Sequence, residues 1–342
     1  MSSTPVVRAK APLRLSFAGG GTDVPPFPQN EGGAVLSATI NRYAFASLRP
    51  RTDRQIRVHS MDYGLDVEFG VDEPVVLDGE LDLAKAAVRR LLDPGSPGFD
   101  LYSHANAPPG TGLGASSAMV VALVGALQAH YRLTLTDYEI AAMAERLERD
   151  DLQIRGGMQD HYAATFGGFN YIEFHSDHVV VNPLRIDPGT INELETNMLL
   201  VYTGRTRFSD QVIADQTERY VSGNTDSIDG LRMQKQLARE MKDALLRRRH
   251  DEFGALLDEA WRQKRRLSPK IATPEIDEAY EVARAAGALG GKVTGAGGGG
   301  YMVFYCAFDR RHRVAEAMIN LGMSITEFTF GTDGLTTWRV GV

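Results

Sequence analysis

The sequence predicts an α+β protein of two domains. Its 342 residues are a little over twice the roughly 150 of an ordinary domain. Strand-like apolar stretches are interspersed with stretches whose apolar residues recur every three or four positions, the helical period. Hydrophobic residues make up 43% and charged residues 24%, the balance of a folded chain rather than a disordered one. The 35 glycines fall in tight clusters, where a backbone without Cβ atoms can approach another group closely.

Val6 to Ala18 and Ala34 to Pro50 read as strands, followed by Ile56 to Val58 and Asp66 to Phe69. Leu81 to Leu92 has helical spacing, and Asp100 to Ala105 is a short strand entering a Pro-Gly loop. Ser116 to Tyr131 is the clearest helix, with Met119, Val120, Leu123, Val124 and Leu127 on its apolar face. Thr136 to Asp150 is a second, opened by a Thr136/Glu139 capping box. Asn170 to Phe174 and His178 to Val181 form a hairpin, and Asn182-Pro183 marks a boundary between domains 1–183 and 184–342. The second half begins with a strand, Met198 to Tyr202, and continues with helices near Ser209 to Val221, Ile228 to Arg248, Asp251 to Leu267 and Glu275 to Ala286. A strand ending near Thr294, the strand Tyr301 to Ala307, the helix Arg313 to Leu321 and a last strand complete it.

Composition narrows the function. Asp plus Glu is 44 against 37 for Lys plus Arg, a net charge of −7, which disfavours nucleic acid or an anionic membrane as partner. A single cysteine, Cys306, excludes a disulfide framework and a Cys-based zinc cluster. The opening residues lack the apolar core of a signal peptide. The most apolar stretch, Ala118 to Leu127, is half the roughly 20 residues of a membrane span. A cytoplasmic protein, monomer or homodimer, is therefore expected. His175 and His178 have no third metal ligand in view, and Cys306, Trp261 and Trp338 read as packing residues.

Three glycine loops and one acidic segment hold the chemistry. The first, SFAGGGTD over 16–23, runs from a strand through Gly19, Gly20 and Gly21 to Thr22 and Asp23, a carboxylate suited to sugar hydroxyls. The second comprises Pro109, Gly110, Thr111, Gly112, Leu113, Gly114, Ala115, Ser116 and Ser117 and feeds straight into a helix. Unpaired amides and the positive end of the helix dipole suit that segment to phosphate. The third, Gly291 to Gly300, precedes a strand, the wrong context for a dinucleotide fingerprint, and no Walker A motif exists anywhere in the chain. Between the second and third, Glu148 ends a helix and Asp160 follows a double glycine. Glu148 with Ser116 makes a partial shell for Mg²⁺, which takes one or two carboxylates besides phosphate, and Asp160 is a candidate base.

In this order the four segments resemble the GHMP kinases, the superfamily of galactokinase, homoserine kinase, mevalonate kinase and phosphomevalonate kinase, over most of the chain. Within it, IRGGMQDHYAATFGGFN over 154–170 is most similar to the heptose 7-phosphate kinase subfamily. The resemblance implies a ribosomal-protein-S5-like N-terminal domain and a ferredoxin-like C-terminal domain, with ATP and sugar in the cleft between them. It implies that 109–117 wraps the ATP phosphates, that Ser116 and Glu148 hold Mg²⁺, and that Asp160 is the base with Arg14 its neighbouring cation. It places the sugar at Gly20, Gly21, Thr22, Asp23 and Asp160, with Gly297 and Gly298 closing the cleft.

The implied reaction is ATP-dependent phosphorylation of the anomeric hydroxyl of a sugar phosphate. The favoured substrate is D-glycero-α-D-manno-heptose 7-phosphate, giving the 1,7-bisphosphate for nucleotide-activated heptose synthesis. Two departures matter: Ala115 replaces the first serine of the usual Gly-Leu-Gly-Ser-Ser, and Gly20-Gly21 stands where galactokinase has Glu-His, which disfavours plain galactose. Arg155, Arg205, Arg207 and Lys264 to Arg266 are candidates for the remote phosphate. The alternatives are a kinase for another sugar or sugar phosphate, and a catalytically inactive sugar or nucleotide sensor.

Overall fold

The computed structural model describes residues 5–108, 110–205 and 210–341. In chain order the elements are β1 (Val6–Ala18), α1 (Phe27–Glu31), β2 (Gly33–Pro50), β3 (Gln55–Ser60), β4 (Leu65–Gly70), α2 (Asp82–Leu91) and β5 (Phe99–Ala105). Next come α3 (Ala115–Tyr131), α4 (Asp137–Arg146), α5 (Gln159–Phe166), β6 (Phe169–Phe174), β7 (Val179–Pro183), α6 (Pro188–Asn197) and β8 (Met198–Tyr202). The remainder is α7 (Asp210–Val221), α8 (Thr225–Leu246), α9 (His250–Leu267), α10 (Pro274–Ala286), β9 (Ala288–Val293), β10 (Tyr301–Cys306), α11 (Arg311–Asn320), β11 (Ser324–Thr326) and β12 (Thr336–Val340).

The length of β2 organises the first sheet. Gly33 to Ala38 pairs with β6, Ala44 to Pro50 pairs with β5, and β1 runs antiparallel along its other edge. The sheet has eight strands in the order β12-β1-β2-β5-β3-β4, with β6 and β7 branching from β2. The chain's last strand thus returns to pair with Val6 to Lys10 of β1, although most of residues 184–342 build a second sheet, β11-β8-β10-β9.

That second sheet is buried on both faces. Along β10, Tyr301, Val303 and Tyr305 join the core that continues through α8 and α9 to the first sheet, while Met302, Phe304 and Cys306 join a core under α10 and α11. Period-two alternation between two apolar layers explains why β10 carries no charged side chain. Trp261 and Cys306 are fully buried as expected, but Trp338 on the edge strand β12 is 38% exposed, paired with the exposed Arg8.

Most helices begin where the sequence says they should. At α4 the capping box forms: the Glu139 amide donates to Thr136 Oγ1 at 3.3 Å and the Thr136 amide to Glu139 Oε2 at 2.8 Å. The same helix does not run regularly to Asp150; it widens into a π-type turn over Leu147–Asp151, a distortion that often accompanies function. Helices α1, α5 and α6, of 5, 8 and 10 residues, have no counterpart in the sequence pattern.

Candidate active site

Arg14 lies inside β1 with 3% of its surface exposed. Its Nε donates to Asp160 Oδ1 at 2.7 Å, and its Nη1 donates to the Gly112 carbonyl at 2.8 Å. One guanidinium thereby joins the first sheet, the second glycine loop and the first turn of α5, where Asp160 is 21% exposed. The fork geometry of arginine makes such a two-directional clamp possible.

The second loop is bent by glycines in the left-handed region: Gly110, Gly112 and Gly114 have φ of 75°, 84° and 75°. Gly114 is the N-cap of α3, and a Cβ there would stand 3.2 Å from the Asp160 carboxyl carbon. A helix N-terminus with free amides therefore faces the acid across van der Waals distance, a suitable geometry for an anionic group next to a base.

Glu148 projects from the π-type turn and is 1% exposed. Ser116 Oγ donates to its Oε1, Ser117 Oγ donates to its Oε2 at 2.7 Å, and His161 Nε2 lies 2.6 Å from Oε2. Burial alone would raise its pKa, but the bond and charge of His161, with Arg149 and Ser116, hold the carboxyl at about 2. Ser117 is buried and Ser116 is exposed, so the edge Ser116–Oε1 is the side open to a ligand. An ionised carboxylate with a hydroxyl fits Mg²⁺, a hard cation that prefers oxygen donors. Among the described residues no group of three His, Cys, Asp or Glu converges on a metal position; His175 and His178 stack on each other with ring centroids 4.5 Å apart.

Asp23 is fully buried. Its carboxylate accepts from the Gly21 amide at 3.0 Å, the Gln159 amide at 3.1 Å and Gln159 Nε2 at 3.1 Å. Burial raises Asp23 above the ordinary carboxylate range; the Gln159 amide opposes this, and the Asp160 charge adds to it. Thr22 turns inward, its hydroxyl donating to the Gly19 and Ala34 carbonyls at 2.8 and 3.0 Å. Asp23 thus fastens the first glycine loop to the start of α5.

The third loop packs on the second backbone to backbone. A Cβ on Gly295 would lie 2.5 Å from Gly112 Cα, and one on Gly300 would lie 2.3 Å from the Thr111 carbonyl oxygen. Gly298 donates to the Ile271 carbonyl at 2.8 Å, and Gly297 packs against Ile271. Gly298 and Gly299 also line a cavity of about 190 Å³ with Thr203, Arg205 and Glu275.

The candidate cations separate sharply. Arg205, Arg265 and Arg266 form exposed ion pairs with Glu275, Asp277 and Asp226. Arg155 is exposed, without an ion pair among the described residues. Lys264 alone turns inward: it is 4% exposed and donates to the Gly295 carbonyl. Burial, with repulsion from Arg14, lowers its pKa to about 8 against the attraction of Asp23 and Asp160. Pro109 and Arg207 lie outside the described residues.

Sequence reasoning passed over His161, Gln159 and Lys292. Lys292 is 1% exposed and donates to the Ser16 and Phe17 carbonyls at 2.9 and 3.0 Å, fastening β9 to β1. A lone lysine inside an otherwise apolar, glycine-containing strand was the available signal. His161 and Gln159 had none, since Asp23 is 136 residues from Gln159 and Glu148 meets His161 across a turn of no regular period.

Comparison with known proteins agrees with this geometry. Residues 82–168 match the model of the GHMP kinases N terminal domain, and 241–322 that of the GHMP kinases C terminal domain. A D-glycero-alpha-D-manno-heptose 7-phosphate kinase of Campylobacter jejuni is 36% identical, over 98% of this chain and 99% of its own. A crystal structure described as a D-glycero-D-manno-heptose 1-phosphate kinase of Bacteroides thetaiotaomicron superposes with a TM-score of 0.82 at 36% identity, covering 98% of this chain and 100% of that one. Galactokinase of Lactococcus lactis shares the fold at 22% identity, with a TM-score of 0.75 over 97% of this chain and 95% of its own. The chain belongs to the GHMP kinase family.

Proposed function

We propose that this chain transfers the γ-phosphoryl group of ATP to the anomeric hydroxyl of D-glycero-α-D-manno-heptose 7-phosphate. The observation that carries the reading is the Arg14–Asp160 pair set against the N-cap of α3. A carboxylate close to a helix N-terminus supports base catalysis beside a bound phosphate, and phosphoryl transfer needs little beyond such positioning and charge stabilisation. Asp160 accepts the proton of the attacking hydroxyl, and the bond from Arg14 Nε keeps it aimed. An anomeric hydroxyl is more acidic than an ordinary alcohol, so a carboxylate suffices as base.

The loop 110–117 holds the triphosphate through its amides. Ser116 and Oε1 of Glu148 hold Mg²⁺, which when bound neutralises phosphate charge. Among the described candidate cations Lys264, which donates to the Gly295 carbonyl, is the one we assign to an anionic group of the sugar. The kinship with proteins described as heptose phosphate kinases supports the substrate. Residues 1–183 supply the phosphate loop, metal ligands and base, and residues 184–342 close the site.

The test is turnover of ATP with heptose 7-phosphate, with the product's phosphate positions read by NMR. Asp160→Asn is expected to lose at least about 100-fold in kcat while nucleotide still binds. Near-normal turnover in that variant would sink the mechanism, and ATP binding without turnover on any sugar would favour a sensor.

A further inference from the structure

Two of the three glycines at 19–21 are demanded by the backbone, and the third is not. A Cβ on Gly19 would lie 1.9 Å from the Ala34 carbonyl oxygen at φ +86°, and one on Gly21, at φ +102°, would lie 3.0 Å from Gln216 Nε2. Gly20 has no left-handed φ. A Cβ there would rest at ordinary contact distance, 3.5 Å from Ser16 Oγ and 3.7 Å from Gln159 Nε2. The fold would accept alanine at this position, so its missing Cβ calls for another explanation.

The atoms beneath it supply one. Ser16 and Gln159 are 3% and 8% exposed, and among the described residues Ser16 Oγ and Gln159 Oε1 have no hydrogen-bond partner. Buried polar atoms are ordinarily paired, and each one left unpaired costs stability. Ser16 stands two residues beyond Arg14 on β1 and so shares its face. Gln159 precedes Asp160, and its Nε2 is committed to both Asp23 oxygens at 3.2 and 3.1 Å. Amide planarity therefore turns its Oε1 away from Asp23. The polar row continues to Ser37, the cross-strand neighbour of Ser16, whose hydroxyl is likewise buried and unpartnered.

We infer that Ser16 Oγ and Gln159 Oε1, buried beneath Gly20 in the free protein, form a niche for the sugar hydroxyl vicinal to the reacting one, and that the missing Cβ of Gly20 leaves the space by which that hydroxyl enters. That hydroxyl donates to Gln159 Oε1 and exchanges a hydrogen bond with Ser16 Oγ. This rests on the kinase reading, because the reacting hydroxyl is located by Asp160. The niche is a selectivity element: a sugar lacking that hydroxyl leaves both atoms unpaired in the complex.

The test compares wild type, Ser16→Ala, Gly20→Ala and Ser37→Ala on heptose 7-phosphate and its 2-deoxy analogue, with melting temperatures for each. Wild type should lose roughly tenfold or more in kcat/KM on the deoxy analogue. Ser16→Ala should lose a similar factor on the parent sugar, lose little more on the analogue, and melt no lower than wild type. Gly20→Ala should raise KM for the sugar without lowering the melting temperature, and Ser37→Ala, deeper in the row, should leave the discrimination intact. Losses that multiply independently in Ser16→Ala, or equal behaviour of Ser16→Ala and Ser37→Ala, would overturn the niche while leaving the kinase reading standing. No turnover of any sugar phosphate by wild type would overturn both.

Discussion

At Lys264 a cation is buried with a carbonyl as its hydrogen-bond acceptor. A buried ammonium without a bonded carboxylate is costly in the free protein, and an arriving phosphate relieves that cost. The sign of the pH effect follows from its pKa of about 8, below the ordinary 10.5. Below pH 8 the amine is charged in both the folded and unfolded chain, and above 10.5 it is neutral in both. Between those values the unfolded chain binds more protons, so this group makes stability rise with pH. Lys264→Met should therefore be more stable than wild type at pH 7.5, by at most about 3 kcal/mol less the lost bond to Gly295. The advantage should shrink by pH 10 in urea unfolding. A pH-independent difference would mean that Lys264 is already neutral or already paired.

The candidate site is built on loops whose shape depends on glycine. Gly112 combines a φ of +84° with a Cβ position 2.5 Å from the Thr294 carbonyl oxygen, so alanine there meets both backbone strain and a backbone clash. Gly112→Ala should cost about 2–4 kcal/mol and raise KM for ATP, as the second loop parts from the third. Gly64, at φ +61° with nothing within 4 Å of its Cβ position, is the control: alanine there should cost about 1 kcal/mol and leave KM unchanged. Equal effects at the two positions, by denaturant titration and steady-state kinetics, would show that the loop-to-loop contact contributes nothing. The π-type turn is the other element of the candidate site, since it sets Glu148 against Ser116, Ser117 and His161 at the end of a helix that a regular reading would have continued.

Across the whole molecule, the chain ends by returning to its beginning. β12 pairs with Val6 to Lys10 and covers the edge of β1, the strand that carries Arg14 and Ser16. Removing residues 336–342 should expose that edge and lower unfolding stability by about 2–4 kcal/mol, the scale of several lost backbone hydrogen bonds. A truncated chain as stable as wild type would show that β12 is dispensable. Among the described residues no helix is long and apolar enough to cross a membrane. The net charge of −7 coexists with the buried Arg14 and Lys264 at the candidate site, so the overall balance says little about the ligand.

Local pattern sufficed for the strong helices, for the capping box at Thr136 and for the three glycine loops, because propensity, capping and φ > 0 act over a few residues. The order of those loops also carried the resemblance to the GHMP kinases, and that resemblance implied Asp160, Arg14, Glu148 and Ser116 as candidates. It could not show α5, too short for periodicity to register, nor the return of β12 to β1. Only the tertiary structure decided that His161 holds Glu148, that Gln159 holds Asp23, and that of the five described candidate cations Lys264 turns inward. No local period links those partners, and the packing of α5, α9 and the glycine loops against β1 brings them within hydrogen-bond reach.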